Sequence, residues 1–180
     1  MGCGRNRFAF ACPLDRLYKQ AFPMKLPVGQ IHIVRALTIS LCCVPLTLLY
    51  IDTSFIFPYT TGKAFAFRLA ISLLFILWSA LALRCPRYRP ARTPILVALS
   101  AVVVLWALAA AFSPNPSRAF WSNFEKMDGF VTLLHLYLLY VMASSVFQSK
   151  RHWHAFISVL IATSSLVCVH AVFEIGRAHV

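Results

Sequence analysis

The sequence predicts an all-α, multi-pass transmembrane helix bundle of about five spans, with its N-terminus in the cytoplasm. Three observations carry this expectation. Apolar residues make up 60% of the 180 positions and charged residues 12%, with a mean hydropathy of +0.74, whereas a soluble domain carries roughly 25% charged residues. The apolar residues are gathered into blocks of about twenty, the length needed to cross a hydrocarbon core about 30 Å thick. Between the blocks, Lys and Arg crowd onto alternate connections, which orients every span the same way under the positive-inside rule.

Residues 1–30 form a basic leader in which Arg5, Arg7, Arg16, Lys19 and Lys25 stand against the single acid Asp15. Met24 offers an internal start, which would make residues 1–23 upstream translation. MGCGRN has Asn6 where a myristoylation signal needs Ser or Thr, and Cys3 follows no apolar stretch of a lipoprotein signal. The first span is expected over 31–51; no small-x-small cleavage site follows it, so it reads as a retained helix, kinked at Pro45. The loop 52–63 leads outward, with Phe55, Phe57 and Tyr59 suited to the aromatic belt, and the second span covers 64–83. RCPRYRPARTP, Arg84 to Pro94, carries four arginines, three prolines and no acid, a cytoplasmic turn. The third span, 95–112, is followed by the loop 113–130, SPNPSRAFWSNFEKMDGF; span four is 131–147, QSKRHWH is a second basic turn, and span five is 155–173.

Outside the spans, eleven Lys and Arg fall on the leader and the two basic turns, and three on the opposite loops. The same distribution answers the net charge of +12, which in a soluble chain would point to nucleic acid. Here the cations mark topology, and no nucleic-acid partner is expected. The last residues, IGRAHV from Ile175 to Val180, correspond to one reading frame of a widely used sequencing-library adapter, so 174–180 reads as an artefact and the native chain is expected to continue past Phe173.

Chemistry is sparse. The six cysteines show no CxxC or Cys/His metal spacing, Gly62-Lys63 lacks the rest of a phosphate-binding loop, and neither metal nor cofactor is expected. Ionisable residues inside spans are costly and therefore candidates for function. Arg68, His135 and His170 each fall three or four residues from the outward end of a span, roughly 6 Å below the surface. The amino end of span two, with its positive dipole, faces the same layer as Lys63 and Arg68, outlining an anion site; two cations snorkelling to headgroups would give the same pattern. In the outward loop, Arg118 and Lys126 are balanced by Glu125 and Asp128. Ser122 and Glu125 fit an S-x-x-E capping box and Asp128 precedes span four, so capping stands beside a catalytic reading. Phe120, Trp121 and Phe124 read as belt aromatics or a short surface helix.

The stretches FPYTTGKAFAFR (57–68), PRYRP (86–90) and NPSRAFWSNFEKMDGFVTLLHLYLLY (115–140) together resemble the N-terminal half of O-antigen ligase family membrane proteins, over roughly Met24 to Tyr140. The resemblance implies a many-spanning glycosyltransferase of the bacterial inner membrane that moves a glycan from an undecaprenyl diphosphate carrier to an acceptor on the periplasmic face. The positions it carries over are Lys63 and Arg68, which would bind the diphosphate, and Glu125 and His135; with Arg118 and Asp128 these last two outline a polar outer-face site. Lys126 stands where members often have Arg, and Asp128 where they often have Glu. The family's large later periplasmic loop, which supplies further catalytic groups, has no counterpart in these 180 residues, so this piece alone is expected to be inactive. The alternatives are a small multi-pass transporter, which would call for repeats and midplane charges, and a non-catalytic membrane scaffold.

Overall fold

Backbone polar groups in hydrocarbon must be satisfied within the chain, which leaves only helices and closed barrels. In the computed structural model, which describes residues 28–50, 61–123 and 129–178 and the side-chain surroundings of 31–50, 61–123 and 129–173, every regular element is helical. The order is α1 (Val28–Cys43) running into a 3-10 segment (Val44–Leu49), α2 (Thr61–Arg84), a 3-10 turn (Pro86–Tyr88), α3 (Pro94–Ala111), the short α4 (Pro116–Trp121), α5 (Phe130–Val146) and α6 (Lys150–Ala178). The chain is an all-α multi-pass membrane bundle. Four stretches, Ile31–Leu49, Thr61–Arg84, Pro94–Ala111 and Lys150–Phe173, are long and apolar enough to span. The fifth, α5, has 17 residues, about 25 Å of helix and the lower limit for a crossing.

At Pro45, where the sequence predicts a kink, the α-helix gives way to a 3-10 segment. The proline cannot donate to Leu41, and the helix tightens into the 3-10 segment that begins at Val44. Thr47 Oγ1 donates to Val44 O at 2.8 Å and the Tyr50 amide to Thr47 O at 3.2 Å, closing the end.

The second basic turn differs from expectation. Lys150 and Arg151 lie inside α6, which starts five residues before the expected span. Ser149 Oγ accepts from the Arg151 amide at 3.3 Å, and Phe147 sits edge-on to Trp153 at 5.3 Å and tilted to Phe156 at 5.9 Å. These contacts pull the helix start back to the connection. Residues 1–27 of the leader, the belt residues Phe55, Phe57 and Tyr59, and the side chains of 174–180 lie outside the described residues, and 28–30 of the leader already belong to α1.

The bundle is inside-out by aqueous standards. Its buried centre is narrow, with Leu37 and Leu41 of α1, Ile71 of α2 and Met142 of α5 almost wholly enclosed. Outward faces carry Leu73, Ile76, Leu105, Ile161 and Val172, all more than half exposed. Continuous apolar exposure of this kind belongs against lipid. The flanking helices are the more exposed: α3 encloses only Ala110, and in α6 Thr163 is the buried position, its hydroxyl returned to Val159 O at 2.9 Å.

α2 and α5 run parallel and share the centre. Trp78 Nε1 donates to Ser145 Oγ at 2.8 Å, and Ser145 passes its proton to Met142 O at 2.9 Å, so both polar groups are satisfied in a buried place. α5 is held on its other side by Tyr137: since Ser100 Oγ donates to Leu96 O at 2.7 Å, the Tyr137 hydroxyl is the donor in its 2.7 Å bond to Ser100 Oγ.

The arginine-rich turn is folded, not merely charged. Tyr88 is 6% exposed and belongs to the central apolar cluster. Arg89 Nε donates to Ala82 O at 3.2 Å, satisfying one of the last carbonyls of α2, and Arg87 donates to Gln148 Oε1 at 2.8 Å, tying this turn to the one between α5 and α6.

Two predictions follow from this packing. Ser145→Ala leaves the indole N–H of Trp78 buried without its acceptor and should cost about 1 kcal/mol, read as a lower Tm in detergent, with Trp78→Phe in the same background costing little more. Burial pushes the Tyr88 phenol above its ordinary value, with Arg87 pulling the other way. The folded state therefore holds the proton more tightly than the unfolded chain, and stability is lost as pH rises past about 10. In Tyr88→Phe that alkaline loss should be smaller, measured by thermal unfolding across pH 8–11.

Candidate polar site at the amino ends of α2 and α5

The end of the bundle opposite the arginine-rich turn gathers the amino termini of α2 and α5 and the short α4. α2 begins at Thr61, earlier than the expected 64, and this changes the placement of its cations. Lys63 lies within the first turn instead of preceding the helix, half-buried, and Arg68 falls about 10 Å along the axis instead of 6 Å. Five residues apart on one helix, the two point about 140° away from each other, so helical geometry does not put them side by side.

Arg68 is turned toward α5. Its Nη2 donates to Thr132 Oγ1 at 2.6 Å. One turn deeper, Ser72 Oγ and His135 Nε2 stand 3.1 Å apart. His135 Nδ1 lies 2.7 Å from Val131 O; a carbonyl only accepts, so Nδ1 carries the hydrogen. In the neutral ring Nε2 is then an acceptor, and Ser72 donates to it. Arg68 and Ser72 are four apart on α2, Thr132 and His135 three apart on α5, and each pair therefore shares a helix face. The result is a two-rung polar seam at the inner edge of the site, continued deeper by Trp78 and Ser145.

Arg68 and His135, chosen from sequence because they interrupt apolar spans, are thus brought to one interface. Thr132 and Ser72 were not singled out. The i, i+4 and i, i+3 spacings to Arg68 and His135 were the available signal. His170 does not join the seam: it is exposed on α6 and makes no hydrogen bond among the described residues. Arg118 stands apart on α4, exposed, where it lines an open depression with Ser113, Pro114, Asn115 and Ala119. Glu125, Lys126, Asp128 and Phe124 lie outside the described residues. Among the described residues no group of His, Cys, Asp or Glu is arranged to hold a metal.

The capping-box reading of Ser122 is corrected. Ser122 is the C-cap of α4, its amide bonded to Arg118 O at 2.8 Å, with φ 63° and ψ −170°. An N-cap residue is extended, and this conformation is nearly glycine-only, costing roughly 1–3 kcal/mol for serine. The N-cap of α5 is Gly129. The expected short helix is present as α4, with Phe120 edge-on to Phe130 at 5.4 Å and Trp121 60% exposed.

Gly129 explains why α4 sits so close. A Cβ on it would overlap Phe120 O and stand 2.7 Å from the Trp121 carbonyl carbon, both backbone atoms that cannot turn aside. Gly129→Ala should lift α4 from the amino end of α5 at a cost of about 1–3 kcal/mol, seen as a lower Tm together with a change in Trp121 emission in a variant retaining that tryptophan alone. Comparison with protein families, curated proteins and solved structures found no match to this chain.

Proposed function

We propose that the chain is the N-terminal membrane part of a glycosyltransferase resembling O-antigen ligases, and that the amino ends of α2 and α5 receive the diphosphate of an undecaprenyl-linked glycan. The setting is the periplasmic face of the bacterial inner membrane. The observation that carries the reading is the convergence of Arg68 and His135 on the α2–α5 interface, one turn apart in depth, at the end of the bundle opposite the arginine-rich turns. The motif resemblance over 57–68 and 115–140 supports it, since the same two stretches supply this interface.

The chemistry asked of the site is modest. When the anomeric carbon is attacked, the bond to the carrier's diphosphate breaks and negative charge grows on the leaving group. A guanidinium held at fixed depth stabilises that charge, and its planar donors suit phosphate oxygens. Thr132 orients Arg68 by accepting one of its N–H groups. Lys63, about 7 Å nearer the surface, offers the second cation. His135, fixed by Val131 and Ser72, is a positioning residue for the interface. Attacking base and acceptor site are assigned to sequence beyond this piece.

Arg68→Ala in the full-length protein should lower glycan transfer from the lipid-linked donor roughly ten- to a hundredfold, the loss of one hydrogen-bonded charge, with Arg68→Lys intermediate. Transfer kinetics in proteoliposomes measure this, and unchanged rate and unchanged donor affinity in Arg68→Ala would refute the assignment.

A further inference from the structure

We infer that the arginine-rich end of the bundle is a binding site for the phosphodiester headgroup of an anionic phospholipid. Topology alone asks only that cations be present on one side; here they are organised. Arg84, Arg87, Arg89 and Arg92 come from the connection between α2 and α3, and Lys150 and Arg151 from the start of α6. The Arg87 to Gln148 bond at 2.8 Å brings the two connections together. Tyr88, 6% exposed, anchors the first of them in the core, and the bond from Arg89 to Ala82 O fixes its return path.

All six cations are exposed, and no acid occurs in either connection. Arg84, Arg92 and Arg151 make no side-chain hydrogen bond among the described residues, so their donors face outward. Two long helices also begin at this end, α3 with Thr93 capping the Leu96 amide at 3.2 Å and α6 at Lys150, and their positive dipole ends add to the field. A fixed surface of one sign, at the depth where a membrane helix meets the headgroups, selects a lipid of the other sign. Just inside this end both helices carry exposed apolar side chains, Val97 on α3 and Ile157 on α6, against which acyl chains would lie.

The test is competition binding on the full chain purified in a neutral detergent, with a fluorescent phosphatidylglycerol as probe. Dioleoylphosphatidylglycerol should displace the probe and dioleoylphosphatidylcholine should not. Neutralising the three outward cations together, Arg84→Gln, Arg92→Gln and Arg151→Gln, should weaken binding on the order of 100-fold, at about one Lys/Arg contribution each, whereas the three Arg→Lys changes should largely preserve it. If the Gln variant does not fold, the wild type carries the test: binding should fall steeply between about 0.1 M and 1 M salt, where the Debye length shrinks from about 10 Å to 3 Å. Equal displacement by the two lipids, or salt-independent binding, overturns the inference. Displacement by millimolar inorganic phosphate as effective as by the lipid would assign the site to a free phosphate and overturn the lipid as its source.

Discussion

The hydrogen bonds between α2 and α5 are the constraint on which the rest of the bundle depends. In lipid, apolar side chains gain little by meeting one another, because the acyl chains they leave are equally apolar. Register between helices must then come from close packing and from polar groups with nowhere else to go. Arg68 with Thr132, Ser72 with His135 and Trp78 with Ser145 fix two parallel helices whose sequences are more than sixty residues apart. Met142 and Ile71, fully enclosed, pack within the same interface region, and α1, α3 and α6 are laid around this pair. Each bond is worth little alone, yet sliding one helix along the other would strand the buried Trp78 donor and the half-buried polar groups above it at once, and that penalty favours one register.

The spans were legible in the sequence because block length is printed directly in it: a run of apolar residues long enough to cross hydrocarbon has few other fates. Pro45 was legible for a similarly local reason, the missing N–H. Where expectation and structure part, contacts distant in sequence decide. α6 begins at Lys150 because Trp153 and Phe156 find Phe147 and because Ser149 caps the first turn. Ser122 fits a capping box by spacing, yet ends α4, because Gly129 lets that short helix seat its backbone against the start of α5. The cations of PRYRP read as a topology signal; that Tyr88 among them is a core residue depends on what α2 and α5 leave open at that end.

The candidate site was half legible. Arg68 and His135 stand out because a charge or an imidazole in a span is expensive. Thr132 and Ser72 do not, since hydroxyl residues are common in membrane helices and return their protons to their own backbone, as Thr38 and Thr163 do here. What separates Thr132 and Ser72 from those is the helix face they share with the conspicuous residue one turn away. Lys63 differs in its placement: it was expected just ahead of the helix, and with α2 starting at Thr61 it stands in the first turn, about 140° around from Arg68.

The electrostatics of the two ends make the functional reading sharper. A helix amino end favours an acid in its first turn and disfavours a base, yet the first turn of α2 holds no acid and carries Lys63, with Arg68 two turns in. α5 adds a second positive dipole end at the same place, again with no acid in its first turn. A base in the first turn opposes the dipole of its own helix, a local cost that negative charge brought to this end offsets. Under the proposed function a diphosphate would bring that charge, adding attraction to Lys63 and to both helix amino ends. If the site acts as proposed, that attraction grows as the leaving group acquires charge, so an arrangement that costs stability in the empty bundle would suit the product side of a glycosyl transfer.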